Sequence, residues 1–274
     1  MTSSNMLTRR EEEKEESRER SPLGIVTTLL FTLLVFMTTL ALEQALVSSL
    51  VAIEAVGSGN SLVLDGVVLV DGHTHPSNLM HAVVTVLSAV GLAATAIPFL
   101  QGAAITLEAR FKWYKAENPP DSMEAIRSGS VLLFQTLLVL AAGTWVHDHL
   151  LFVFAIFLIF WSDVYWLRKG GDNQAEFSVT LKPDEKLSSA FVGTSVHNRW
   201  LALNKMTRNV CLIALVFAFF GKFCLYNDDG HSIPHILEQI GAGFVGVALI
   251  ARTWSDYRTN RNFYFNPVGM TLKR

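Results

Sequence analysis

The chain alternates long apolar runs with short polar breaks. Residues 23–42 contain no charge at all. A run apolar on every side predicts a helix buried all round, and about 20 such residues cross a bilayer. Similar runs recur at about 79–105, 130–145, 150–167, 209–225 and 235–253. Buried strands of soluble proteins are shorter, roughly 4–8 residues. The pattern therefore predicts an all-α fold: a polytopic membrane bundle of six transmembrane helices, arranged as three antiparallel hairpins. The clearest hairpin is Ser130–Arg168, whose two runs meet at the polar tip Trp145-Val-His-Asp-His-Leu150.

The breaks predict the rest. Residues 1–21 are a polar tail with the mixed-charge block Arg9–Arg20. Pro22 suits a first helical turn. Glu43 ends the first span, and residues 43–56 continue either as one long helix or as an interfacial helix. Asp65-Gly66 between β-branched runs is a hairpin signal. It predicts a small extracytoplasmic loop or β-ribbon near residues 57–78. Pro98 should kink the second span. Asn118-Pro-Pro120 stops that helix, and Asp121 or Ser122 caps the next. Arg168-Lys-Gly-Gly171 ends the fourth span, and Ala175–Leu181 alternates like a short strand within a linker over residues 168–208. A helix should begin near Ser195. The membrane domain thus covers residues 22–262, followed by a tail at residues 263–274.

Composition agrees with a membrane protein. Half the residues are hydrophobic, 17% are charged, and the mean hydropathy is +0.34. A net charge of −2 suggests no nucleic-acid partner. Cys211 and Cys224 are the two cysteines. On one helix they stand roughly 20 Å apart, too far to bridge.

Charge orients the bundle. All of the 22 lysines and arginines except Lys222 fall in the N-terminal tail, in the loops after the second and fourth spans, or from the cytoplasmic end of the sixth span onwards. This positive-inside asymmetry puts both termini in the cytoplasm of a plasma or inner membrane.

Histidine is partitioned the other way. Of the eight histidines only His197 falls on the inner side. Each outer loop pairs histidine with aspartate: Asp71, His73 and His75; His147, Asp148 and His149; Asp228, Asp229, His231 and His235. Imidazole and carboxylate are ligands for Zn, Cu or Fe, so converging tips would make an extracytoplasmic metal or proton site. The same residue types also suit short turns from which Lys and Arg are excluded.

Trp161-Ser-Asp163 closes the fourth span and Trp254-Ser-Asp256 the sixth, as in a repeated hairpin. A functional version would pair these aspartates with Arg252, Arg258 or Arg168 in a cytoplasmic gate. Gly241-Ala-Gly243-Phe-Val-Gly246 matches a dinucleotide fingerprint. It follows no strand, so close helix packing is the better reading.

No nucleophile motif or phosphate loop is present. The first reading is a non-catalytic subunit of a larger membrane complex, bound to lipid and to other subunits or its own copies. A small cation or metal transporter or channel is the alternative. A metal-dependent membrane enzyme with its site at the outer face comes third.

Overall fold

A computed structural model describes the backbone at residues 22–58, 62–64, 67–70, 76–114, 122–180, 194–224 and 232–260. Side chains are described at residues 28–57, 79–103, 129–168, 198–220 and 236–260. The elements are α1 (Pro22–Ser58), β1 (Leu62–Leu64), β2 (Val67–Val70), α2 (Pro76–Tyr114), α3 (Ser122–Thr144), α4 (His149–Thr180), α5 (Thr194–Cys224) and α6 (Ser232–Thr259). The strands pair antiparallel, with Leu64 opposite Val67.

Among the described residues, five helices are long and apolar enough to cross a membrane: α1, α2, α4, α5 and α6. The described apolar stretch of α3 is shorter, Gly129–Thr144. The bundle also wears its apolar residues outside. Phe36, Ile97, Ile213, Phe217 and Phe244 are each more than half exposed. A water-facing surface rarely carries so much contiguous apolar area, whereas lipid covers it at no cost. The build is compatible with an integral membrane protein.

Residues 43–56 continue α1 as one long helix, which runs to Ser58. The fourth span runs further than the sequence suggests. Gly170 and Gly171 do not end α4, which passes through them to Thr180, over most of the segment expected to be a strand. A helical glycine costs about 1 kcal/mol relative to alanine, too little to break a helix whose other residues favour it. The predicted tail at residues 263–274 and the first 21 residues lie outside the described residues.

The six helices close a ring in the order α1, α2, α6, α5, α4, α3 and back to α1. α4 and α6 also touch directly, and α2 meets α3 more lightly. Phe152, Ile156 and Phe160 of α4, Leu92 of α2 and Leu249 of α6 fill the core. A smaller cluster joins Leu34 early in α1, Ala103 late in α2 and Leu132 early in α3.

Small residues set the closest crossings. A Cβ on Gly91 would stand 2.9 Å from the Gly246 carbonyl oxygen. One on Gly246 would stand 2.9 Å from that of Leu87. Backbone meets backbone there, so α2 and α6 cross where neither has a side chain. Gly143 likewise lies against the backbone of Ala41, bringing α3 onto α1. The apparent dinucleotide fingerprint is thus a packing device.

Several buried hydroxyls are satisfied within their own helices. Ser49, Thr95, Thr136 and Thr207 each donate to the carbonyl four residues back. That bond lets a polar side chain sit in an apolar bundle without an orphaned donor.

Candidate functional site

At the tip between α3 and α4, Asp148 caps a helix. Its Oδ1 accepts the Leu151 N–H at 3.1 Å, and its carbonyl accepts that of Phe152 at 2.8 Å. Asp148 N–H in turn donates to the Trp145 carbonyl, which closes the turn. The carboxylate also sits well against the positive end of the α4 dipole.

His149 turns inward and is buried. Its ring lies 4.6 Å from that of His81 between centroids, and Nε2 is 3.4 Å from Thr85 Oγ1. His147 Nδ1 is buried with no hydrogen-bond partner. The two histidines of the tip therefore do not share one environment. Among the described residues no group of three or more His, Cys, Asp or Glu could hold a metal ion. Asp71, His73, His75, Asp228, Asp229 and His231 lie outside the described residues, as does the side chain of His235.

The second polar centre lies at the opposite end of the bundle. Trp161 and Trp254, the tryptophans of the two Trp-Ser-Asp motifs, are 53% and 71% exposed. Two residues on, Asp163 and Asp256 line an internal cavity. Two positions along a helix is about 200° of rotation, so an outward tryptophan places the aspartate inward. An interfacial tryptophan and an inward carboxylate are thus one geometric statement made twice.

The cavity has a volume of about 90 Å³ and is walled by α2, α3, α4, α5 and α6. Arg252 is buried and donates through Nε and Nη2 to Asn204 Oδ1, at 2.9 and 2.6 Å. Asn204 Nδ2 donates to Asp163 Oδ2. The expected contact between Arg252 and Asp163 is therefore relayed by an amide. The guanidinium also lies 5.1 Å from the centroid of the Phe160 ring. Asp256 Oδ1 accepts Trp200 Nε1–H at 3.0 Å and Asn260 Nδ2–H at 2.6 Å. Nearby, Tyr257 donates its hydroxyl to Gln101 Oε1 at 2.9 Å. Arg168 and Arg258, the other predicted partners, are exposed.

Gln135 of α3 completes the wall. It is 2% exposed, and its side-chain amide faces the Asp163 carboxylate. Asn204, Trp200 and Gln135 were not singled out in the sequence. The one available signal was the spacing of Trp200 and Asn204, four apart and so on one helical face.

No family model, curated protein or solved structure matches this chain.

Proposed function

We propose that the chain is an integral membrane protein of six spans, folded as three antiparallel hairpins with both termini cytoplasmic, and that it carries a small cation through its bundle. α3 serves as the sixth span. Its 23 residues reach about 34 Å as a helix, enough for the hydrocarbon core. The ribbon of β1 and β2 then lies outside the cytoplasm, as the alternation of spans requires.

The observation that carries the transport reading is the polar cavity at the Arg252 end of an otherwise apolar bundle. Ionisable groups at membrane depth are costly and mark ion or substrate paths. A second polar cluster, His81, Thr85 and His149, sits at the other end of the same α2 face. Along that face follow Ser88, Leu92 and Thr95, all buried. Thr85 and Thr95 are separated by about 15 Å of helix. Leu92, packed with Val139, Ile156 and Leu249, is the apolar plug between the two ends. Two polar ends divided by one apolar layer make a closed gate rather than an open pore. The outer His and Asp residues named above are the capture site.

Reconstitution into sealed liposomes tests this reading. Cation flux should appear with wild type, slow at least tenfold with Asp163→Asn, and speed up with Leu92→Ala. Wild-type vesicles as tight as protein-free ones would refute transport. Metal analysis beside a His147→Ala/His149→Ala variant tests the tips: Zn, Cu or Fe bound equally by both proteins would remove those histidines from capture.

α1 favours a second reading, a subunit of a larger membrane complex. Ala41 lies level with Gly143 near the end of α3, so residues 42–58 project about 24 Å further. On that extension Leu46, Leu50 and Ile53 are 59%, 57% and 53% exposed along one face. Native-membrane co-purification of a partner lost on Leu50→Glu would support it.

A further inference from the structure

We infer that the half of α5 beside Arg252 is a movable wall of the cavity, and that Asn204 is the latch that holds it shut. The inference rests on the transport reading for its purpose, and the movement is measured without transport. Trp200, Asn204, Thr207, Cys211, Ala214 and Ala218 follow one another in steps of four and three. They therefore share one face of α5. That face changes character midway. Towards Cys224 it is small and apolar, with Cys211, Ala214 and Ala218 all buried. A Cβ on Gly241 of α6 would stand 3.3 Å from that of Ala214, so the two helices already lie close. Small residues that let backbones approach this way make a natural pivot. Towards Thr194 the same face is polar and lines the cavity through Trp200 and Asn204. There α5 is tied across to its neighbours by hydrogen bonds: Trp200 to Asp256 of α6, and Asn204 to both Asp163 of α4 and Arg252 of α6.

The chemistry of the latch allows a second state. Asn204 is 1% exposed, and its single amide fills the space between a guanidinium and a carboxylate. Its Oδ1 takes both Nε and Nη2 of Arg252. Two donors on one edge of a guanidinium are the pair with which arginine grips a carboxylate. The amide oxygen is a neutral substitute on that edge. A buried charge stripped of its partner is costly, and that cost normally forbids such a wall to move. Here withdrawal of the amide frees one charge of each sign, and Arg252 can close directly on Asp163. The guanidinium keeps its place over Phe160, and Gln135 still faces the carboxylate from α3. The same groups are thus satisfied in two arrangements, which is what a hinged element needs. Its swing follows from the helix. Asn204 lies ten residues from Ala214, about 15 Å. Clearing Arg252 takes about 3 Å, one hydrogen-bond length. Arg199, about 22 Å from Ala214, then moves by about 4 Å.

Distances between paired spin labels test the movement, in full-length protein in lipid nanodiscs with Cys211 and Cys224 replaced by alanine. Arg168→Cys with Arg199→Cys joins exposed positions of α4 and α5 at the latch. Phe154→Cys with Ile213→Cys joins exposed positions of the same helices beside the pivot. Asn204→Ala should shift the latch pair outward by about 4 Å and leave the pivot pair where it is. Asn204→Ser has a side chain too short to reach both partners, so it should act alike and serves if the alanine variant does not fold. A purely structural role for Asn204 would loosen both pairs together. The direct contact of Arg252 with Asp163 has its own readout. Asp163→Asn should lower the unfolding midpoint more in either Asn204 variant than in wild type, where the amide still holds the arginine. An unmoved latch pair in the folded variants would overturn the inference, as would equal shifts at both pairs or equal falls in midpoint. An outward shift without flux from wild-type liposomes would defeat transport and leave the latch standing. Flux with an unmoved latch pair would do the reverse.

Discussion

Gly243 and Gly246 lie on one helix, three residues apart, and alanine should be tolerated at one and not at the other. A Cβ on Gly243 would meet only Val84 Cγ2, at 3.5 Å, an ordinary contact with a side chain that can adjust. A Cβ on Gly246 would meet the carbonyl oxygen of Leu87 at 2.9 Å, its carbon at 3.0 Å and Ser88 N at 3.2 Å. All three are backbone atoms of α2, and they can retreat only if the whole helix does. Both substitutions gain the same helix propensity, about 1 kcal/mol, so that contribution cancels in the comparison. What remains is overpacking at Gly246, typically about 1–3 kcal/mol. Gly246→Ala should therefore be less stable than Gly243→Ala by about 1–3 kcal/mol, up to a hundredfold in the unfolding equilibrium. Reversible unfolding in mixed micelles, titrated with a denaturing detergent, reads the difference directly. Two variants within about 0.5 kcal/mol of each other would mean that α2 and α6 do not cross at these glycines.

Further outcomes follow from the two polar centres. Asn204→Ala removes three hydrogen bonds to charged side chains and should cost about 2 kcal/mol in the same assay, since single bonds in membrane bundles average about 0.6 kcal/mol. Asp148→Ala should cost about 1 kcal/mol through loss of the α4 cap, whereas Asp148→Asn should be close to neutral. A cysteine at Thr144, an exposed position, should react with an impermeant maleimide from outside intact cells. Labelling only after the cytoplasmic face is opened would reverse the proposed orientation.

The spans were legible because membrane helices announce themselves by length and by the lack of charge. The membrane edges were less so. Arg208, Lys205 and Arg199 look like the boundary of a membrane segment, which placed Trp200 and Asn204 in a linker. The helix expected near Ser195 begins at Thr194, and unbroken it delivers both residues to the cavity. Long basic side chains can lie along a helix and reach the interface, so charge marks the membrane edge only to within a few turns. Glu43 stands on the exposed side of α1, so it imposes no break, and the helix continues past it as one of the two expected courses. The Trp-Ser-Asp repeat was visible in the sequence, and its angular consequence was available too. The partners of its aspartates were not, because Asn204 and Gln135 come from helices whose neighbours no local pattern specifies. Of the tip histidines, His149 turns into the bundle, where it meets His81 and Thr85.

The order of the ring bears on how the chain is made. α1, α2 and α3 touch one another, so they form a group as soon as the third has emerged from the ribosome. α4 and α5 extend that group from the α3 side. α6 comes last, and it is the helix that joins α5 back to α2. Until it inserts, the bundle is an open arc, Gly91 has no glycine to cross, and the cavity lacks the wall that holds Arg252 and Asp256. The keystone therefore arrives after the five helices it locks. A nascent protein in which α6 is late or defective would show the surveillance machinery of the cell an unclosed polar seam in the plane of the lipid.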